Sequence, residues 1–426
     1  MTAFAFLGGL GASLLLGFPI FFALLIAALV MMLLMGNVNA VILAQKFVDG
    51  ADSFPLMAIP FFLLAGELMN AGGLSKRIVN LAMALFGHLN GGLGFVVIGT
   101  GVLLASLSGS AIADAATLTV MLLPLMRQGG YDIERGAGLM AATGIIAPII
   151  PPSIGFIVLG VTANLSISGL FLSGIVPGFL MALSLVVVWL SLSRRRPTAV
   201  QPRSSRGQIM RSLRASVWAL FMPVIVVFGL KLGVFTPTEA GIVAAAYFFL
   251  VSIFVYREIT PEQVYMSFLR AAKMTSVIMV LVAASMVSAW LMTIANIPGQ
   301  MVTLVQPLIE HPRLLMLAIC VAVLVIGTVL DFTPAILILI PVLLPVVNAA
   351  GIDPIYFGVL FLMTAAIGMI TPPVGAVLNV VCGIARIPVE RAVVGVLPFL
   401  LAEIAVLLLL ILFPALVIVP GTWFSH

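Results

Sequence analysis

Two short polar runs interrupt an otherwise apolar sequence, Ser106-Leu-Ser-Gly-Ser110 and Leu330-Asp331-Phe332-Thr333-Pro334. Each is followed downstream by a doubled proline, Pro151-Pro152-Ser153 in one case and Thr371-Pro372-Pro373-Val374-Gly375 in the other. The donors these runs offer are hydroxyls, a carboxylate and backbone groups. Hard oxygen ligands without a thiolate or imidazole favour an alkali or alkaline-earth cation over a transition metal. An interrupted helix adds free carbonyls at one broken end, which suit a cation, and free amides at the other, which suit an anion. The chemistry expected is therefore two related sodium sites, each built from one polar run and one proline break. Cys320 and Cys382 lie in apolar runs without a CxxC pattern, and His88, His311 and His426 form no HExxH. A disulfide framework, a zinc site and metalloprotease chemistry have no support in that pattern.

The elements that position these runs must live in lipid. The 426 residues include only 19 Lys or Arg and 14 Asp or Glu, and 63% are hydrophobic. At 8% charged, against about 25% for soluble domains, the chain lacks the polar surface to coat a water-soluble fold. The mean hydropathy of +1.32 is spread over the whole chain, so the class is an all-α, polytopic, multi-pass membrane protein. The net charge of +5 is not a nucleic-acid signal, because seven arginines cluster between Arg194 and Arg214 around Pro197 and Pro202. Flanked by apolar spans, that run reads as a cytoplasmic loop obeying the positive-inside rule, with anionic lipid as the other reading. The first apolar stretch has no basic leader and reads as a retained span.

The loop, residues 194–214, divides the chain into halves at 1–193 and 215–426, and the halves repeat. An offset of 221 residues aligns Leu122, Leu123 and Pro124 with Leu343, Leu344 and Pro345, and Gly130 and Asp132 with Gly351 and Asp353. It also aligns Thr143 with Thr364, Pro151 and Pro152 with Pro372 and Pro373, and Gly174 and Pro177 with Gly395 and Pro398. Such a repeat usually means two halves of a transporter bundle. Arg127 and Arg135 bound a loop whose counterpart, Asn348 to Tyr356, has no cation, and Lys76 and Arg77 map onto uncharged Ile297 to Gln300. Corresponding loops then lie on opposite faces, which makes the repeat inverted.

Within each half the polar run sits at the tip of a re-entrant hairpin, 94–126 and 314–347. The apolar arms, such as Gly94 to Ala105, read as about 18–22 Å long, short of a hydrocarbon core of about 30 Å. Broken helices follow at 136–162 and 357–382, because consecutive prolines cannot continue a helix. Backbone of that kind persists at membrane depth only where protein or a polar cavity satisfies it. Spans are expected near 5–35, split at Gly17-Phe18-Pro19, and near 54–70, 168–192, 216–234, 238–256, 274–295 and 391–418. Amphipathic pieces at Val38 to Gly50, Leu74 to Gly87, Pro261 to Lys273 and Gly299 to Ile309 are expected along the interface.

Several residues keep two readings. Ser and Gly at a hairpin tip also serve close helix packing. Asp114 and Asp331 are ionisable groups at membrane depth and so functional candidates, yet Asp114 is also placed to cap or pair within its own hairpin. Glu67 and Glu403 suit either interhelical bonding or a pathway.

On these residues the sequence resembles the large membrane subunit of the tripartite ATP-independent periplasmic (TRAP) transporters. The resemblance spans essentially the whole chain and rests on Ser106 to Asp114, Ile149-Ile-Pro-Pro-Ser153, Phe235-Thr-Pro-Thr-Glu-Ala-Gly241 and Ile370 to Gly375. It implies an elevator-type fold, in which hairpins and broken helices slide against a scaffold. It implies Na+ as coupling ion with no organic cofactor, an organic-acid substrate, a periplasmic binding protein, and residence in the bacterial inner membrane. A small four-helix membrane subunit is implied too, expected as a separate chain because this one opens on the large-subunit pattern. Within the family the likeness is greatest to permeases for keto sugar acids such as diketogulonate. Carried onto this sequence, one sodium site would use Ser106, Ser108, Gly109, Ser110, Gly144, Pro152 and Ser153. The other would use Asp331, Thr333, Gly368, Thr371 and Val374. Substrate would meet Ser110, Asp114, Ser153, Thr162, Thr371, Pro373 and Asn379. No Lys or Arg is expected near either tip, so neutralisation of a carboxylate is expected from sodium and helix dipoles.

Other classes fit less well. A stand-alone sodium- or proton-coupled carboxylate symporter keeps the architecture without the partners. An intramembrane enzyme would need a GxGD or GxSxG context and a base that the sequence lacks. Broken helices closed by hairpins suit an occluding site more than an open channel.

Overall fold

Residues 2–36, 39–194 and 202–423 are described by a computed structural model, in which every regular element among them is helical. Seven helical segments among the described residues are long and apolar enough to cross a bilayer. Local signals set the helix ends. Helix α1 (Thr2–Leu15) and α2 (Ile20–Leu34) part at Gly17, φ +81°, with Pro19 capping the second. The Asn39 side chain accepts from the amides of Val41 and Ile42 to start α3 (Ala40–Ala51). After a 3-10 turn at Phe54–Met57 come α4 (Ala58–Ala71), α5 (Leu74–Phe86), α6 (Gly92–Ser108), α7 (Ala111–Gln128) and α8 (Ile133–Gly144). The first half closes with α9 (Ile154–Ala163) and α10 (Ile167–Ser193).

The second half opens on capping boxes, in which a hydroxyl and a side chain three residues on satisfy each other's first amides. Ser205 with Gln208 starts α11 (Arg206–Lys231), Thr236 with Glu239 starts α12 (Pro237–Leu250), and Thr260 with Gln263 starts α13 (Pro261–Ile294). A π-helical stretch, Val251–Tyr256, extends α12. Next come α14 (Ile297–Leu304), α15 (Gln306–Ile309), α16 (Pro312–Gly327) and α17 (Phe332–Ala349). The chain ends through α18 (Pro354–Gly368), α19 (Ala376–Ala385), α20 (Val389–Leu412) and α21 (Ala415–Trp423).

The 221-residue spacing holds in the helix boundaries. It carries Ala111–Gln128 onto Phe332–Ala349, and α8, α9 and α10 onto α18, α19 and α20 within a few residues. The pattern departs where α3 and α4 are parted around Pro55, whereas their counterpart is the unbroken, 34-residue α13, and where the single α5 corresponds to α14 and α15. No proline occupies the matching position, Ser276, so the helix runs on for about 51 Å.

Four sequence expectations change in detail. Pro261 to Lys273 is not a separate interfacial piece but the first part of α13. The loop expected at 194–214 is shorter, since the Ser205 capping box makes Arg206, Arg211 and Arg214 helical; Arg195, Arg196 and Pro197, like His426, lie outside the described residues. The expected 391–418 span divides at Pro414. The hairpin arms have 17 and 18 residues in the first half and 16 and 18 in the second, about 24–27 Å. Arms α6 and α17 are longer than the sequence suggests because Ser106 and Ser108, and Phe332 to Pro334, join the helices in place of the tips.

The main core is shared by α4 to α10 and α16 to α20, while Phe6, Leu24, Met31, Val287 and Leu291 form a smaller one between α1, α2 and α13. Large apolar side chains such as Phe221, Phe228, Val277 and Val325 point outward, as on a surface solvated by lipid.

Candidate functional site

The first hairpin turns at Gly109, φ +62°, between α6 and α7. A Cβ there would meet Pro152 O and Ile154 N at 3.0 Å, so the tip lies directly on the proline break. Gly144, the last residue of α8, faces Ala111 O and Ala115 at the other side of the hairpin. Most of the hydroxyls are tied locally. The Ser108 hydroxyl donates to Asp114 Oδ1 at 2.5 Å and accepts from the Ser110 amide. Ser110 caps α7 through the Ala113 amide. Ser153 donates to Pro148 O and caps α9 through the Phe156 amide. Ser106 donates to Leu103 O and lines an apolar crevice of about 450 Å³ against α11. Of the two readings of Asp114, the structure supports pairing within the hairpin: it is buried and held by Ser108, and its Oδ2 has no hydrogen-bond partner among the described residues.

The second hairpin and break are joined in the same manner. Gly327 and Gly368 pack backbone to backbone, a Cβ on Gly368 falling 2.6 Å from Gly327 C, and the Gly375 amide donates to Thr328 O at 2.9 Å. Asp331 caps α17, its Oδ1 accepting from the Phe332 amide at 2.6 Å, and Thr371 donates to Ile367 O. The halves also meet each other, since the Phe332 ring packs against Gly155 at the start of α9.

Both tips open onto one cavity of about 430 Å³, to which Ser110, Ile154, Asp331, Phe332, Thr333 and Pro334 contribute. Ser110, Asp331 and Thr333 are thus brought together, while Asp114, Ser153, Thr162, Thr371, Pro373 and Asn379 do not line it. Thr162 donates to Val158 O, Asn379 and Pro373 are exposed, and Val374 is also exposed beside the second break.

One expectation is overturned. A cation does reach the tips, for Lys273 lines this cavity. Sequence proximity missed it because α13 runs unbroken through Lys273 beside the second tip. The only sequence signal was a lone lysine where an amphipathic stretch meets an apolar one. One turn before it, Arg270 pairs with Glu67 of α4 at 3.4 Å, an interhelical bond in keeping with the first of the two readings of Glu67. Glu403 of α20 is buried and accepts from Ser184 of α10 at 3.5 Å. Arg77 makes two hydrogen bonds to Glu258, joining α5 to the α12–α13 connection and holding that carboxyl below its ordinary value.

The arrangement has relatives. A bacterial transporter of Alcanivorax borkumensis, YdaH, superposes with a TM-score of 0.60 over 90% of this chain and 87% of its own, at 16% identity. The antimetabolite efflux pump MtrF of Neisseria gonorrhoeae gives 0.57 over 86% and 82%, at 11% identity. At such identities the likeness is one of fold. In sequence, a Haemophilus influenzae protein provisionally named a TRAP transporter large permease is 51% identical over 99% of this chain and its own full length. The 2,3-diketo-L-gulonate TRAP transporter large permease protein YiaN of Escherichia coli is 49% identical over the whole of both chains. The sialic acid TRAP transporter large permease protein SiaM of Vibrio cholerae is 36% identical over 93% of each. Residues 7–416 match the family model described as the tripartite ATP-independent periplasmic transporter, DctM component. With seven or more apolar helices and a match of that extent, the chain belongs to this family of large permeases, which are transport proteins and not enzymes, and is a multi-pass protein of the bacterial inner membrane.

Proposed function

We propose that this chain drives uptake of an organic acid with a sodium gradient, by an elevator movement of its hairpins and broken helices against a scaffold of the longer helices. The acid is delivered by a periplasmic binding protein, and a separate small four-helix membrane subunit enlarges the scaffold. The observation that carries this reading is the meeting of both tips, each seated on or joined to its own proline break, around a single cavity. The donors suit sodium. A hydroxyl that donates to a carbonyl of its own or the preceding helix, as Ser106 and Thr371 do, keeps its oxygen lone pairs for a cation. Ser106, Ser108, Gly109, Ser110, Gly144, Pro152 and Ser153 supply one site, and Asp331, Thr333, Gly368, Thr371 and Val374 the other.

An inverted topology is supported by repeated helices in which Arg127 and Arg135 flank the α7–α8 connection while its counterpart, Asn348 to Tyr356, has no cation. The inverted pairing lets one rigid movement expose the same cavity first to one side and then to the other. The substrate class follows the relatives: keto sugar acids first, given the 49% identity to the diketogulonate permease, then sialic acids and C4-dicarboxylates. The test is uptake of 2,3-diketo-L-gulonate by proteoliposomes holding this chain, its small subunit and the binding protein. Uptake is expected to vanish when sodium is replaced by potassium or when the binding protein is left out. Undiminished uptake without the binding protein would point instead to a stand-alone symporter.

A further inference from the structure

We propose that Lys273 is a fixed cation for the substrate's carboxylate, meeting it at the cytoplasmic end of the cavity between the hairpin tips. The inference deepens the reading of an anionic cargo and rests on it. Lys273 lines the same cavity as Ser110, Asp331 and Thr333. It forms no hydrogen bond or ion pair among the described residues, whereas Arg270, one turn earlier on the same helix, is already neutralised by Glu67. A cation without an ion-pair partner, lining a largely apolar cavity whose polar groups are Ser110, Asp331 and Thr333, is available to an anionic ligand in a way that Arg270 is not.

Its depth defines when it acts. Twenty-one residues separate Lys273 from Ile294 at the end of α13, about 32 Å of helix, the thickness of a hydrocarbon core. The other end of α13 follows the Arg77–Glu258 pair and lies two crossings, α11 and α12, after the arginine-rich connection, which the positive-inside rule places in the cytoplasm. Lys273 therefore sits where the core meets the cytoplasmic interface, and the tips beside it occupy an inward-facing position. Because α13 belongs to the scaffold, Lys273 does not travel with the hairpins. It meets the carboxylate only after the inward movement, when departing sodium no longer neutralises it, and lowers the cost of that step. Asp331 shares the cavity and is held back as a competitor by the Phe332 amide that its carboxylate accepts.

The experiment measures 2,3-diketo-L-gulonate uptake in the tripartite proteoliposomes for wild type, K273Q, K273R and K273C. K273C is also treated with a thiol reagent that appends an aminoethyl group or, separately, a sulfonatoethyl group; the native Cys320 and Cys382 are both buried. Expected are a loss of transport efficiency of about tenfold or more in K273Q, recovery to within about threefold in K273R, and recovery of K273C by the ammonium but not the sulfonate reagent. The half-saturating sodium concentration is expected to stay constant, which a merely structural role would not ensure. Wild-type efficiency in K273Q, or equal rescue of K273C by both reagents, overturns the proposal while leaving sodium-driven uptake standing. Absence of sodium-dependent uptake in wild type overturns the underlying reading as well.

Discussion

Asp114 and Asp331 stand at related hairpin tips yet are held in different ways. Asp114 is sealed inside its hairpin with one oxygen on Ser108 and the other without a partner among the described residues; Asp331 faces the cavity with its neighbouring amide as partner. Removing the Ser108 hydroxyl leaves a buried carboxylate unsatisfied, a loss of about 1–3 kcal/mol. S108A is therefore expected to lower the melting temperature of the detergent-purified protein clearly. S106A, which deletes only a bond within one helix, should shift it by less than about 1 kcal/mol; equal shifts would contradict these roles. D331N is expected to raise the sodium concentration needed for half-maximal uptake. At this scale the oxygen-rich character of the site was legible in residue types alone. Which hydroxyls are occupied locally was not, because capping depends on where each helix begins, and the tips proved shorter than their polar runs.

At the scale of elements, the tips and breaks are held together by backbone contact, so glycine is required at the contact points. Gly109 combines a left-handed φ of +62° with a 3.0 Å approach to the break. G109A is expected to cost about 1–2 kcal/mol for the backbone conformation alone and to impair uptake further by pushing tip and break apart. G368A meets the Gly327 backbone instead of a flexible side chain and should abolish folding or transport, measured by monodispersity on size exclusion and by uptake. The Arg77–Glu258 link between α5 and the start of α13 is more exposed and contributes about 0.5 kcal/mol. Because Arg77 lowers the Glu258 pKa in the folded state, that stabilisation is present above the ordinary value of 4.5 and is lost as pH falls through the lower folded value. E258Q should therefore melt slightly below wild type at pH 7, with the difference gone at strongly acid pH. The broken helices were legible because doubled prolines leave no alternative. The unbroken α13 was not: an amphipathic stretch followed by an apolar one looks like two elements, and only continuous helical geometry through Lys273 joins them.

For the whole molecule, low charge first meant only a lipid environment. The 221-residue spacing, visible in scattered prolines and glycines, reappears as matching helix boundaries over α6 to α10 and α16 to α20. The long-range packing of one half's tip against the other half's break, Phe332 on Gly155, could not be read from a linear repeat, since it depends on how the halves are oriented. That packing makes one cavity out of two motifs, and the account stands or falls on whether sodium and an organic acid share it. The most direct measurement is accumulation of 2,3-diketo-L-gulonate in sealed tripartite proteoliposomes at zero membrane potential under imposed sodium gradients. The account predicts accumulation above the external concentration when the gradient points inward, and none when it is collapsed. Equal uptake under both conditions would contradict it.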